Sequence, residues 1–180
     1  YYFDFFAVTS TSQQKNIFNK IILQNYFALL VYLKTDKKIL NRSIEIFKAI
    51  LLVELIQNLN PNKSIAYLKQ HIQLHINKQG MHRSMNPCMQ AEYINNLFEI
   101  KSIFLFFNIK LPDEIDFQIL NMTAVLSNFF HPDGTIAFFN GSNNAYNRSI
   151  KKIIQLSGDI KHKDLSKIEN GIAVYSYKKM

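Results

Sequence analysis

Residues 79–87 read Gln79-Gly80-Met81-His82-Arg83-Ser84-Met85-Asn86-Pro87, a polar stretch with an apolar helical pattern on either side. Gly80 can end the preceding helix in the left-handed conformation. Asn86 can cap the next helix, and Pro87 suits its first turn, where no amide donor is needed. These helix-end signals do not require His82 or Arg83. A cation and an imidazole beside a helix N-terminus are suited to bind an anion, so we expect a functional site at this turn.

The spacing of apolar residues predicts five helices around this turn. Before it, helices are expected from Thr11 or Ser12 to about Leu33, from about Ile39 to Leu59, and from about Ser64 to Asn77. After it, one helix is expected from Pro87 to near Asn108, and another opens at Pro112.

The pattern changes after His131-Pro132-Asp133-Gly134, which predicts a turn. The expected elements beyond it are an extended segment from Thr135 to Phe139, a polar loop from Asn140 to Asn144, a short helix around Tyr146 to Leu156, and a strand from Gly171 to Tyr177. A lone strand is not stable by itself. The order therefore suggests an array of helical hairpins that is cut just after a β-domain begins, and the chain, which opens without Met, is expected to be a piece of a longer protein.

Composition narrows the class of partner. The chain has 180 residues, is 48% hydrophobic, and carries a net charge of +8, so we expect one domain, or a domain and a fragment, that attracts a polyanion. Nucleic acid, acidic lipid and acidic glycan are all polyanions of this kind.

The most apolar stretch, 39–59, carries four charged residues and does not predict a membrane span. A single cysteine, Cys88, excludes a disulfide framework and a cysteine-based zinc site.

Three landmarks together resemble the heparinase II/III-like family of polysaccharide lyases. They are Leu40-Asn41-Arg42-Ser43, the Gly80 to Pro87 turn, and His131-Pro132-Asp133-Gly134-Thr135 through Phe139-Asn140-Gly141. The resemblance covers roughly residues 15 to 177. It implies a mainly α fold: an incomplete (α/α) toroid of paired antiparallel helices over 1–157, and a short β segment over 158–180 that begins a β-sandwich domain.

The resemblance also implies an activity. The partner would be an acidic polysaccharide, such as a glycosaminoglycan or alginate, bound in a groove and cleaved by β-elimination. A group that neutralises the uronate carboxylate makes the neighbouring C5 proton acidic, a base removes it, and an acid protonates the departing oxygen. No metal or other cofactor is implied. The rest of the β-sandwich of the same chain would be a partner, in the periplasm or cell envelope of a bacterium.

The chain departs from the family pattern where proton transfer is expected. Asn41-Arg42 stands where the family commonly has Asn-His, and Met89 stands where it has Tyr. Asn41 and Arg42 could neutralise a carboxylate, although a guanidinium cannot act as an ordinary base. His82, as base or carboxylate partner, and Tyr93, one helical turn beyond Met89, complete the expected catalytic set. Arg83, Asn86 and Asn140 are expected to bind substrate.

Simpler interpretations stand beside these. His82 could only hydrogen-bond within its turn, and Tyr93 could only pack against a neighbouring helix. The protein would then be a glycan-binding or scaffold toroid that has lost elimination chemistry. His71 and His75 share a helix face, but no third ligand is evident, so no metal site is predicted. Nucleic acid is not favoured, because most aromatic residues fall on the core stripes of helices.

Overall fold

The computed structural model describes residues 10–35, 43–131, 135–137, 139–142 and 153. Its described part is mainly α-helical and contains five helices, which confirms the predicted fold class. They are α1 (Ser12–Thr35), α2 (Glu45–Ile56), α3 (Asn62–His75), α4 (Pro87–Phe106) and α5 (Asp113–Ser127). Within the described ranges the only β features are two isolated bridges.

The chain divides into two compact units, residues 1–68 and 69–180. In the first unit α1 packs against α2. Its buried core also holds a carboxylate, Glu54, which is 4% exposed. One oxygen of Glu54 accepts hydrogen bonds from the Tyr26 phenol at 3.0 Å and the Ser64 hydroxyl at 2.7 Å. Burial, and then the contact with Glu54, raises the pKa of Tyr26 to about 12, so the phenol stays protonated.

In the second unit α4 packs against α5. Gln90, near the start of α4, hydrogen-bonds to the carbonyl of Met122, near the end of α5. Lys101, near the end of α4, forms an ion pair with Asp116, near the start of α5. These contacts show that the two helices run antiparallel. Both helices carry fully buried side chains: Ile94, Leu97, Ile100, Phe104, Ile115, Ile119 and Met122.

Several helix ends differ from the sequence prediction. α2 begins at Glu45 and ends at Ile56, short of the predicted Leu59, because Asn58 takes a left-handed conformation with φ of 51°. α4 ends at Phe106, near the predicted Asn108, where the chain also takes a left-handed conformation with φ of 53°. α3 ends at His75 and not at Asn77, because Ile76 leaves the helix to pair with His82.

The region after α5 is described in part. Phe130 pairs with Ile136 in an antiparallel bridge, flanked by hydrogen bonds from the amide of His131 to Thr135 and from that of Ala137 to Phe129. This agrees with the extended segment expected from Thr135. The predicted helix over 146–156, apart from Ile153, and the strand and β-sandwich over 158–180 lie outside the described residues, so the toroid and the division at 157 stay predictions.

No helix of the described part has a long enough apolar stretch to cross a lipid bilayer. Of the 39–59 stretch, which was not expected to span a membrane, this finding covers residues 43–59.

Candidate functional site

The turn between α3 and α4 is a short antiparallel pairing closed by a tight loop. The amide of Asn77 donates to the Met81 carbonyl at 2.9 Å, and the amide of Arg83 donates to the His75 carbonyl at 2.8 Å. Gly80 has the predicted left-handed conformation, with φ of 92°, but it lies in the turn after α3 and does not end that helix, which stops at His75. A Cβ atom at this position would lie only 2.6 Å from the side-chain nitrogen of Asn121. Glycine is therefore required here by both conformation and space.

Gln90 fixes this turn from the first turns of α4. Its side chain is fully buried, and its Oε1 accepts a hydrogen bond from the backbone amide of His82 at 2.6 Å. Its Nε2 donates to the carbonyls of Gly80 at 2.8 Å and Met122 at 2.9 Å. One side chain thus satisfies buried groups from the turn and from α5, and it sets the position of His82.

The side chain of His82 is buried, with 7% exposure, and its hydrogen bonds fix its tautomer. The backbone amide of Ser84 lies 3.2 Å from His82 Nδ1, and the Ser84 hydroxyl lies 2.7 Å from it. Since a backbone amide can only donate, Nδ1 is the acceptor, and neutral His82 carries its proton on Nε2. Burial, and then the charge of nearby His75, lowers the pKa of His82 to about 4, so the ring is neutral at pH 7.

His82 belongs to a group of four rings that we call the His–Tyr cluster: His71, His75, His82 and Tyr93. The ring centres of His82 and Tyr93 are 5.6 Å apart, and those of His75 and His82 are 5.7 Å apart. The rings of His71 and Tyr93 are nearly parallel, with an angle of 8° between their planes, and His71 Nδ1 lies 2.7 Å from the phenol oxygen, within hydrogen-bond distance.

Burial controls the charge state of the cluster. His71 is 1% exposed and Tyr93 is 6% exposed, while His75 is half-buried. Burial raises the pKa of Tyr93 well above its ordinary value, so the phenol is protonated at neutral pH. The cluster therefore contains an uncharged proton donor next to an uncharged imidazole.

Arg83 follows His82 in the chain, but its side chain lies elsewhere. Arg83 lies in a turn that is closed by a hydrogen bond from the Met85 amide to the His82 carbonyl at 2.9 Å, and its side chain is exposed, whereas that of His82 is buried. Arg83 lines an open groove of about 670 Å³, which we call the basic groove. Its lining residues are Ile72, Gln73, Ile76, Asn77, Lys78, Arg83, Met85 and Gln118. It carries two cations, and none of these described lining residues is acidic.

Asn86 and Asn140, both expected to bind substrate, contact each other. Asn86 Oδ1 caps α4 by accepting from the amides of Cys88 at 2.8 Å and Met89 at 3.1 Å, as predicted for a cap. Its Nδ2 donates to the Asn140 carbonyl at 2.8 Å. Asn140 Nδ2 in turn donates to the carbonyl of Met85 at 3.1 Å. The buried Asn86 amide is thus occupied within the protein, and it holds the 139–142 loop against the turn.

The predicted site residues fall into separate groups. His82 and Tyr93 come together in the His–Tyr cluster, Arg83 lies in the basic groove, and Asn86 pairs with Asn140. Asn41 and Arg42 lie outside the described residues. The predicted roles of all seven residues in catalysis or binding stay predictions, because a position alone does not establish a role.

Sequence reasoning missed part of the cluster. His71 and His75 were considered only as a metal pair, yet their i, i+4 spacing already places both rings on one face of α3. Across the described ranges, no three His, Cys, Asp or Glu side chains are arranged to hold a metal ion. Gln90 was not singled out, because a glutamine within a helical pattern carries no signal until its backbone partners are known.

Comparison with known proteins adds no identification. No family model, curated protein or solved structure matches this chain.

Proposed function

We propose that the protein is the helical part of a heparinase II/III-like polysaccharide lyase that cleaves an acidic, uronate-containing glycan by β-elimination. The observation that carries the proposal is the convergence of His82 and Tyr93, whose ring centres are 5.6 Å apart. They are the two residues left for proton transfer once the family's usual Tyr and His are absent. The incomplete toroid and its β-sandwich belong to the same proposal.

The protonation states assign a role to each ring. Nδ1 of His82 accepts from Ser84, and its Nε2 carries a proton, so His82 would donate to the uronate carboxylate and would not act as the base. Donation to that carboxylate stabilises the charge that develops when the C5 proton leaves. Asn41 and Arg42 would assist in neutralising the same group.

Tyr93 would transfer the proton. Its phenol would pass a proton to His71, 2.7 Å away, and the phenolate would then take the C5 proton of the sugar. The electron pair of that C–H bond forms the C4–C5 double bond, and the bond from C4 to the glycosidic oxygen breaks. The new phenol proton goes to the leaving oxygen, and His71 returns the first proton to Tyr93. Protons and charge balance without a metal.

The test is ultraviolet absorbance of the unsaturated uronate product, measured with the protein and a panel of alginate-type and heparan-type glycans. Tyr93→Phe removes one oxygen atom and should abolish the absorbance rise. Tyr67→Phe removes the same atom from a half-buried tyrosine on α3 and should leave the rise intact. Thermal melts of both variants establish that they are folded. A wild-type trace that stays flat across the panel would contradict the proposal.

One observation favours a second candidate, a glycan-binding helical module without elimination chemistry. Three of the four rings of the His–Tyr cluster are at most 7% exposed, whereas the basic groove is open. On this alternative the cluster is a packed core, and only the groove meets the glycan. Glycan binding by calorimetry, together with a flat absorbance trace, would establish this function in place of the first.

A further inference from the structure

The basic groove lies beside the turn that carries His82. Arg83 is exposed and lines the groove, whereas the preceding residue, His82, is buried and is not among the residues that line it. A ligand group held by Arg83 is therefore a different group from one held by His82. If the protein binds a chain of sugars, the groove and the cluster meet different parts of that chain.

The groove combines apolar side chains with amide groups, as sites that bind sugars do. Its lining includes the apolar side chains of Ile72, Ile76 and Met85, which can contact the C–H face of a pyranose ring. The side-chain amides of Gln73 and Gln118 also line it and can hydrogen-bond to hydroxyl groups, whereas Asn77 Oδ1 already accepts from the amides of Gln79 and Met81. Its volume of about 670 Å³ falls within the range of roughly 300–1,000 Å³ that is typical of small-ligand pockets.

The two cations of the groove are accessible to a ligand. The side chains of Lys78 and Arg83 are both exposed. Arg83 Nη2 contacts the Gln73 carbonyl at 3.5 Å, the outer limit of a hydrogen bond, so most of the guanidinium donors are open to a ligand. The planar guanidinium matches the paired oxygens of a carboxylate or sulfate, and the ammonium adds a point charge beside it.

We propose that the basic groove is a subsite for an anionic group, a carboxylate or a sulfate, on a sugar unit other than the one that is cleaved, with Lys78 and Arg83 as its cation pair and Gln118 as a hydroxyl ligand. This inference rests on the proposed glycan partner. A nucleic acid fits less well, because the described residues that line the groove include no aromatic side chain on which a base could stack.

The test is calorimetric binding of defined oligosaccharides to the full chain. Lys78→Gln/Arg83→Gln should weaken binding of alginate oligosaccharides by about 10- to 100-fold, the range expected for losing charge-assisted hydrogen bonds. The control is Lys15→Gln/Lys20→Gln, which removes the same charge from exposed positions on α1 and should change affinity by less than about 3-fold. Gln118→Ala leaves the net charge unchanged and should weaken binding by about 5-fold.

The choice of probe separates the two anions. Alginate carries carboxylates only, and dextran sulfate carries sulfates only, so the tighter binder identifies the group that the groove takes, while neutral dextran should not bind. Equal weakening by the two charge-removing double variants would overturn the proposal, since it would show attraction by net charge alone. Tighter binding of single-stranded oligothymidine than of either acidic glycan would overturn it in favour of a nucleic acid.

Binding is measured without turnover, so this proposal can fail or stand independently of the lyase proposal. If wild-type protein forms no unsaturated product but loses glycan affinity in Lys78→Gln/Arg83→Gln, the subsite stands and the elimination chemistry does not. If product forms and the double variant keeps both its affinity and its KM, the lyase stands and the groove is not its subsite.

Discussion

The His–Tyr cluster and the basic groove lie beside the same turn, yet they differ in charge. In the cluster, burial keeps His82 and Tyr93 neutral, and His82 Nδ1 and the Tyr93 phenol are engaged within the protein. In the groove, Lys78 and Arg83 are exposed cations, and the other lining residues are apolar or uncharged. The comparison shows that two consecutive residues, His82 and Arg83, can differ in chemistry because one side chain is buried and the other is exposed. It also predicts that stability resides in the cluster and affinity in the groove.

The largest effect is expected at Gln90, which holds the cluster in place. Gln90→Leu keeps the approximate volume but leaves the buried amide of His82 and carbonyl of Gly80 without this partner. At roughly 1–3 kcal/mol for each unsatisfied group, unfolding should become easier by about 4 kcal/mol. Urea denaturation measures this. Gln73→Leu, the same change at an exposed groove position, should cost less than about 0.5 kcal/mol. Similar losses for the two variants would contradict the comparison.

The second effect is the response of the cluster to acid. The pKa of His82 is lowered from 6.5 to about 4 in the folded state, so the unfolded chain takes up the proton first. Stability from neutral His82 is complete above pH 6.5 and is lost as the pH falls toward 4. The loss should be about 3 kcal/mol, at roughly 1.4 kcal/mol per pKa unit.

Urea denaturation at pH 7.5, 5 and 4 measures this loss, and it should be much smaller in His82→Asn, which has no titrating ring. The imidazole proton signals of His82 give its pKa directly. A pKa near 6.5 for His82 in the folded protein would show that the ring is in contact with water, and it would contradict the burial of the cluster.

The contrast between these sites also shows what a sequence can and cannot predict. Asn86 and Pro87 match their predicted roles, because a cap and a first helical position each select a residue type by local geometry. Gly80 has the predicted positive φ but lies in the turn and does not end α3. The five helices followed from apolar spacing in the same way. The early end of α2 did not, because asparagine takes the left-handed conformation only where the surrounding chain requires it.

The cluster itself could be predicted only in part. His82 and Tyr93 were selected as single residues, but their contact depends on the angle at which α3 and α4 leave the turn. That angle is set by Gln90 and by the close approach of Gly80 to Asn121, which are long-range contacts without a local pattern. The groove was missed for the same reason, since Gln118 comes from α5.

The third prediction compares the two glycines that have positive φ. Gly80 has φ of 92° and no room for a Cβ atom, whereas at Gly141, with φ of 82°, the nearest atom to a Cβ would be 3.8 Å away. Gly141→Ala should therefore cost only the conformational strain, about 1 kcal/mol. Gly80→Ala adds a steric clash with Asn121 and should cost about 2 kcal/mol more. Equal melting temperatures for the two variants would show that Asn121 moves aside freely.

The smallest effect on stability is expected in the groove, and it is informative because it is small. Lys78 and Arg83 are exposed and have no acidic partner among the described residues, so Lys78→Gln/Arg83→Gln should change the free energy of unfolding by no more than about 0.5 kcal/mol. With a net charge of +8, removal of two positive charges also relieves some repulsion, so the change could have either sign. Urea denaturation at low and high salt separates these contributions. A loss above about 2 kcal/mol would mean that these cations support the fold, and any loss of glycan binding by this variant would then report unfolding and not a lost contact.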